Sequence, residues 1–259
     1  PWVLIPPSSP THTENSAPMS HLALLLLAVS ALPESGTLIT YKGEVAPVGK
    51  DHVVGEAEKT FDLTVLVEAD HQGDVHCHWV LEERGRGGWP WLERFGQVAF
   101  NAESQTATGG VAPSVLYDWG DDVSVIELAP LLLSAPEGLA EGTTWKSGEL
   151  AYSVAAATTV DNREVWPVAV SNNYGWKYEL AIDQETGLLV NLRQRVFMGQ
   201  GDEYELRLRT LGIDQLADED FQKTQDAFAA ITEYRRQLAR PEPSKEARRT
   251  SATPEQLSS

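Results

Sequence analysis

Two histidines and an aspartate lie at alternate positions of a strand-like segment. Asp74, His76 and His78 occupy positions i, i+2 and i+4, and side chains at that interval point to the same side of a β-strand. Two imidazoles and a carboxylate on one face supply part of a ligand set for Zn²⁺ or Cu²⁺. The same pattern is typical of the solvated face of an amphipathic strand, and no histidine follows His78. A metal-dependent enzyme that uses these three residues is therefore an alternative hypothesis.

A second group of residues with binding chemistry lies in the glycine-rich segment RGRGGWPWLERF, which begins at Arg84. Trp89 and Trp91 could offer stacking surfaces to a sugar ring, a lipid chain or a peptide. Arg84 and Arg86 could pair with an anion. Because large aromatic side chains are mostly buried in folded proteins, the indoles could instead cover one end of a sheet. These four residues are the candidate ligand-binding residues.

Signals for catalysis are weak in this sequence. Asp118, Asp121 and Asp122 place three carboxylates within five residues, which suits calcium or an acid/base pair. Their spacing is not that of an EF-hand loop, and aspartates beside glycine are common in turns. The sequence contains no G-x-S-x-G, Walker, G-x-G-x-x-G, H-E-x-x-H or C-x-x-C motif. We therefore expect a protein without a cofactor, and a binding role over a catalytic one.

The overall charge restricts the partners further. The chain of 259 residues carries 20 Lys and Arg against 38 Asp and Glu, a net charge of -18. Such a field repels phosphate backbones, so nucleic acid is an unsuitable partner. The single cysteine, Cys77, allows neither an internal disulfide nor a cysteine-based zinc site.

The N-terminal sequence predicts export. Residues 1–18 are rich in proline and polar side chains, a composition typical of disorder. Residues 19–36 resemble a signal peptide, because the apolar run 22–32 suits a signal core and small residues precede a cleavage point before Leu32. The basic residues that usually open a signal are missing, and a short buried helix or strand is the alternative. The run is too short to span a membrane, so we expect a periplasmic or secreted protein that is not transmembrane.

In the segments that position these residues, apolar and polar side chains alternate with a period close to two, which is typical of half-buried strands. Residues 61–67 and 75–81 form a predicted hairpin around the polar turn 70–74, with Cys77 facing the core. Less regular strands are expected near 95–101, 113–118 and 123–129. After a loop at 135–142, five alternating segments joined by short turns predict an antiparallel meander, at residues 150–154, 166–170, 176–182, 188–192 and 204–208.

The end of the chain changes period. Residues 214–239 place apolar side chains at helical spacing behind the possible N-caps Asp214 and Asp218, which predicts an amphipathic helix that packs on the sheet. Residues 240–259 have no apolar period and predict a disordered tail or a tether. We thus expect one mainly β domain over 37–239, a curved antiparallel sheet or incomplete β-barrel of about ten strands closed by a helix.

In outline this architecture is similar to the periplasmic lipoprotein carriers of the LolA and LolB kind. The resemblance rests on element order and not on a motif, so it implies no residue roles. The density of Trp and Tyr on the strands, together with the signal-like segment, favours an exported, non-catalytic β domain. We expect it to bind an apolar or amphipathic ligand, such as a lipid, or an envelope protein partner, in the concavity of its sheet. A structural module of a larger envelope protein, beside a thioredoxin-like domain, is the third hypothesis.

Overall fold

The computed structural model describes residues 33–69, 74–85, 93–101, 107–119, 122–133, 135, 138–198 and 201–238. These residues form fourteen strands and one helix. The elements are β1 Thr37–Pro47, β2 Lys59–Ala69, β3 Val75–Gly85, β4 Glu93–Phe100, β5 Ala107–Gly110, β6 Ser114–Trp119, β7 Asp122–Glu127, β8 Thr144–Ser147, β9 Leu150–Val154, β10 Thr158–Val160, β11 Arg163–Asn172, β12 Gly175–Asp183, β13 Leu189–Met198, β14 Asp202–Gln215 and α1 Asp218–Leu238.

Twelve strands form one antiparallel sheet in the order β5-β4-β3-β2-β1-β14-β13-β12-β11-β9-β8, with β10 paired to β11. The sheet is not closed into a barrel. Its two runs of neighbouring strands meet in the middle, where the first strand pairs with the last over the register Thr37↔Gln215 to Pro47↔Tyr204. This architecture confirms the predicted fold class, an open antiparallel sheet with a C-terminal helix.

The predicted five-strand meander is confirmed in β9, β11, β12, β13 and β14, which neighbour one another in that order. Local turn chemistry is also visible at the hairpin that joins β11 to β10, a short strand outside these five. There Val160 pairs with Arg163, and the two residues between them, Asp161 and Asn162, both have positive φ, at 49° and 65°. A two-residue loop with both φ positive has the twist that adjacent antiparallel strands need, and Asn and Asp tolerate it best among residues with a side chain.

The alternation of side chains gives the sheet two distinct faces. We call the side that carries Tyr41, Leu63 and Leu206, all at most 1% exposed, the core face. We call the opposite side, which carries Lys42 and Arg207, the charged face. Cys77 lies on the core face with 0% exposure, as its place in the alternation predicts.

Strands β6 and β7 form a hairpin of their own, outside the large sheet. With the residues that follow, this hairpin makes an inner segment, 114–119 and 122–133. Eight of its described apolar side chains pack in the same core cluster as the core face, namely Val115, Tyr117, Ile126, Leu128, Ala129, Leu131, Leu132 and Leu133. The inner segment is also tied by backbone hydrogen bonds, since the Leu189 N–H donates to the Leu131 carbonyl at 2.9 Å and the Leu133 N–H to the Gly187 carbonyl at 3.1 Å.

A buried ion pair anchors the inner segment. Lys59 Nζ lies 2.9 Å from Glu83 Oε2, with side-chain exposures of 0% and 5%. The same two side chains bind both backbone groups of Leu116 in β6: the Lys59 ammonium donates to its carbonyl, and its N–H donates to Glu83 Oε1 at 2.9 Å. Because buried charges and buried backbone groups both require partners, one ion pair here satisfies four polar groups.

The C-terminal helix α1 starts later than the sequence predicts. Residues up to Gln215 continue β14, because Gln215 still pairs with Thr37 of β1, and α1 starts at Asp218 with three acidic residues in its first turn, where the helix dipole favours negative charge. The predicted apolar stripe is half-buried at Phe221, Phe228 and Ile231, and the Phe228 ring lies 6.2 Å from the ring of His78 in β3. Within the described part of the chain, no helix has the length and apolarity to cross a membrane.

Candidate ligand-binding site

The three residues of the proposed metal site lie beside or in β3, and each contacts a different partner. His78 Nε2 lies 3.0 Å from Glu68 Oε2, and His76 Nδ1 lies 2.8 Å from the Gln97 amide nitrogen. Asp74 Oδ1 accepts a hydrogen bond of 3.1 Å from Asn101. Among the residues described, no group of three His, Cys, Asp or Glu side chains is arranged to hold a metal ion. The metal site stays a prediction.

The other predicted site residues are only partly described. Trp89, Trp91 and Arg86 lie outside the described residues, so their ligand-binding role stays a prediction. Arg84 is described, and its guanidinium forms ion pairs with Asp62 at 2.9 Å and Glu82 at 3.3 Å on the charged face.

The acidic run is only partly described as well. Asp118 lies in β6, whereas Asp121 lies outside the described ranges. A calcium or acid/base role for this run therefore also stays a prediction.

The aromatic side chains that suggested a ligand-binding concavity belong to the protein's own core. Trp79 and Tyr41 are 1% exposed, and the inner segment packs in the same core cluster. Trp145 and Tyr152 are half-buried and stack on each other, with ring centroids 4.5 Å apart and planes 10° from parallel. Around Trp79 and Tyr41 the core face is thus covered by the chain itself, whereas the aromatic side chains of β8 and β9 stay half-buried at its edge.

Glu205 organises the centre of the charged face. Its side chain is only 4% exposed and lies between two arginines, with its carboxylate oxygens 2.7 Å from Arg193 Nε and 2.6 Å from Arg207 Nε. Arg193 and Arg207 are directly opposite each other in the β13–β14 register, an arrangement in which like charges repel. One buried carboxylate therefore converts a repulsive pair into a bridged one.

The bridge extends outward to two more carboxylates. Arg193 Nη1 lies 3.1 Å from Glu179, and Arg207 Nη1 lies 3.7 Å from Glu44. Burial acts to lower the pKa of the Arg193 guanidinium, but its hydrogen bonds to Glu205 and Glu179 outweigh burial, so the pKa is raised. The Arg193 guanidinium also lies 4.8 Å from the Trp176 ring, within cation–π range. These contacts hold the arginine stems in place.

Above this network the charged face forms a cleft of about 620 Å³. The cleft crosses five strands, β2, β1, β14, β13 and β12, so its walls come from both halves of the sheet. Most of its lining surface is carbon, to which apolar residues and the aliphatic parts of arginine and lysine side chains can both contribute. The lining residues are Lys42, Gly43, Glu44, Thr60, Glu179, Leu180, Ala181, Asn191, Leu192, Arg193, Arg207, Leu208 and Arg209.

The sequence predicts the charged face but not the cleft. Alternation in β12, β13 and β14 places Glu179, Arg193 and Arg207 on one exposed face and makes cross-strand charge pairs available. The pairing of β1 with β14, which brings Lys42 and Glu44 to that face, leaves no local signal because the two strands are far apart in sequence. The sequence does show arginines and glutamates at alternate positions of β13 and β14, which indicates ion pairs between these strands but not a cleft.

No protein-family model matches this chain, and no curated protein matches it. Three solved structures are similar in outline. A β-barrel-like protein of the domain of unknown function DUF1849 from Brucella abortus has 8% identity over 72% of this chain and 100% of that chain, with a TM-score of 0.40. MucB has 13% identity over 75% and 59% of the two chains, with a TM-score of 0.33. The LolA superfamily protein NE2245 from Nitrosomonas europaea has 10% identity over 75% and 93%, with a TM-score of 0.22. At such low identity and TM-score, these likenesses assign neither a family nor a function.

Proposed function

We propose that this protein is an exported, non-catalytic β domain that binds an amphipathic ligand in the cleft of its charged face. The observation that carries the proposal is the cleft itself. Its volume of about 620 Å³ lies in the range of small-molecule sites, roughly 300–1,000 Å³. A carbon-rich lining with charges at its rim suits a molecule that has an apolar body and a polar end.

The chemistry of the lining favours binding over catalysis. Both carboxylates of the described lining are held by arginines, Glu179 at 3.1 Å and Glu44 at 3.7 Å. The described lining contains no Ser, Cys or His side chain, and Thr60 supplies its hydroxyl without a histidine in that lining to take up the proton. What the lining offers instead is a rigid surface, because the Glu205 bridge fixes two of its arginines and preorganisation reduces the entropic cost of binding.

Export is the second part of the proposal, and the signal-like segment 19–36 supports it. Native mass spectrometry of the protein purified from its host tests both parts. We expect a mature chain that begins at Leu32 and carries extra mass that is lost on denaturation. A full-length chain without bound mass would contradict both export and ligand binding, and would favour the structural-module hypothesis.

Two matched substitutions test the place of binding. Ala181 lines the cleft, whereas Ala169 is an exposed residue of the neighbouring strand outside the lining. We expect Ala181→Trp to fill the cleft and to abolish binding of a fluorescent fatty acid to the delipidated protein, while Ala169→Trp leaves binding unchanged. Equal binding by both variants would place the ligand elsewhere.

A further inference from the structure

Three polar side chains line up across three neighbouring strands at the cleft. Lys42 of β1 is directly opposite Arg209 of β14, and Arg209 is directly opposite Asn191 of β13. All three line the cleft. Side chains directly opposite on paired strands have Cβ atoms about 5 Å apart, so a single small group on a ligand can reach neighbours in this row. We call these three residues the anion row.

The two cations of the anion row lack the carboxylate that their neighbours have. Arg193 and Arg207, one row away, are bridged by Glu205. Lys42 is directly opposite Asp62 of β2, but the Asp62 carboxylate is bound by Arg84 at 2.9 Å. Within the described part of the chain, neither Lys42 nor Arg209 forms an ion pair. Two like charges directly opposite each other destabilise a sheet, and an anion placed over them would reverse that repulsion.

Asn191 supplies an independent observation. Its Oδ1 is buried and has no hydrogen-bond partner among the described residues. Buried polar atoms in native proteins are nearly always paired, so such an atom calls for an explanation. The oxygen and nitrogen of an amide exchange places by a half-turn of the terminal bond, and the rotated amide presents a donor where the unpaired oxygen stands. A ligand oxygen would pair with that donor once the neighbouring side chains move aside, because the atom has almost no accessible surface.

We infer that the anion row recognises a carboxylate or phosphate group at the polar end of an amphipathic molecule. This inference rests on the proposed function and specifies the ligand's polar group. The two cations form charge-assisted hydrogen bonds to that group, Asn191 donates a third, and the apolar body lies along the carbon lining. The protein's net charge of -18 repels a free anion at long range, so a molecule that also has an apolar body gains affinity that a free anion lacks.

Isothermal titration calorimetry of the delipidated full chain tests the inference. The probes are dodecanoate and dodecyl phosphate below their critical micelle concentrations, uncharged dodecanol below its solubility limit, and inorganic phosphate. Lys42→Gln with Arg209→Gln removes the cations of the row. Lys50→Gln with Lys146→Gln is the charge-matched control, because both lysines are exposed and lie outside the cleft lining. A charge-assisted contact contributes about tenfold in affinity. We expect the row variant to bind the two anionic probes roughly 10- to 100-fold more weakly, and the control to bind like the wild type.

The outcomes separate this inference from the proposed function. Dodecanol binding as tightly as dodecanoate, with no loss in the row variant, would overturn the anion row and leave the amphipathic cleft in place. Inorganic phosphate binding as tightly as dodecyl phosphate would confirm the anion row and overturn the amphipathic ligand. Failure of every probe to bind would overturn both. Removing two facing cations relieves repulsion, so the row variant is expected to fold, and its thermal melting curve checks this.

Discussion

Two ionisable side chains, Cys77 and Tyr41, are completely buried on the core face, at 0% and 1% exposure. Burial raises the pKa of the Cys77 thiol from 9.0 to about 12, and burial also raises the pKa of the Tyr41 hydroxyl, which donates a hydrogen bond of 2.9 Å to the Leu189 carbonyl. Both groups are therefore neutral in the folded protein at pH values where the unfolded chain ionises. Ionisation of these two side chains at high pH therefore favours the unfolded chain.

The free energy of unfolding should respond to pH accordingly. A group whose pKa is higher in the folded state contributes its full stability below its unfolded pKa and loses it as the pH rises toward the folded pKa. For Cys77 that window runs from 9.0 to about 12, and the contribution of Tyr41 starts to fall near its ordinary value of 10.0. We expect urea denaturation to show that the contribution of these two groups to the free energy of unfolding is constant well below pH 9 and falls steadily above it.

The variant Cys77→Ala isolates the thiol. It should lose part of the slope between pH 9 and 10, where the thiol of the unfolded chain ionises ahead of the Tyr41 hydroxyl. An unchanged slope would mean that the alkaline loss has another origin.

Among the elements, the inner segment and its anchor decide how the core is completed. The hairpin β6–β7 makes no ladder with the large sheet. Its position depends on packing, on the ion pair between Lys59 and Glu83, and on side-chain hydrogen bonds to its two ends, from Arg94 to the Ser114 carbonyl at 2.7 Å and from Gln194 to the Glu127 carbonyl at 2.9 Å. Removing one partner of a buried pair leaves an uncompensated charge, which costs about 3–5 kcal/mol. The ion pair thus fixes the position of β6 on the core face and also stabilises the fold.

Lys59→Met should lower the free energy of unfolding by about 3 kcal/mol or more, measured by urea denaturation. Adding Glu83→Leu should recover part of the loss, because the stranded carboxylate is removed. Recovery stays incomplete, since both substitutions leave the Leu116 carbonyl and N–H without partners. Arg84→Gln is the control, an exposed ion pair with Asp62 that should cost less than about 1 kcal/mol. A single Lys59 variant as mild as the control would contradict the anchoring role.

How far the sequence predicts these elements depends on where the signal resides. The meander from β9 to β14 is predictable because alternation and short turns, such as Asn173-Tyr174 between β11 and β12, are local. Strands β5, β8 and β10 are missed because three or four residues are too few to show alternation. The predicted start of the helix is too early, because the pairing of Gln215 with Thr37 keeps residues up to 215 in β14. The cleft escapes prediction for the same reason, since Lys42 and Arg209 meet only through the β1–β14 pairing.

In the whole molecule, α1 and β14 are adjacent in sequence but contribute very differently to the stability of the sheet. The helix is a half-buried attachment on one side of the sheet, through Phe221, Phe228 and Ile231. Strand β14 instead lies in the middle of the sheet, with β1 on one side and β13 on the other. Shortening the chain past one element or past both should therefore have very different effects.

A chain that ends at residue 216 should keep the sheet, with a cooperative transition and a stability loss of about 3 kcal/mol, the transfer energy of three half-buried apolar side chains. A chain that ends at residue 201 should lack a cooperative transition, because it loses the strand that joins the two halves. Far-ultraviolet circular dichroism with urea denaturation distinguishes the two cases. Cooperative folding of the shorter chain would show that the halves are independent.

The central pairing of β1 with β14 also has a consequence for the order of synthesis. The ribosome releases β1 first and β14 after nearly the whole domain, so one side of β1 has no partner until residue 215 has emerged. The loop closed by this pairing is among the longest the chain can make, and such contacts form late and slowly. Throughout that interval the nascent protein presents an open strand edge at what becomes its centre, and an open edge invites pairing with other chains. Sequestering that edge until translation is complete is a task for a chaperone.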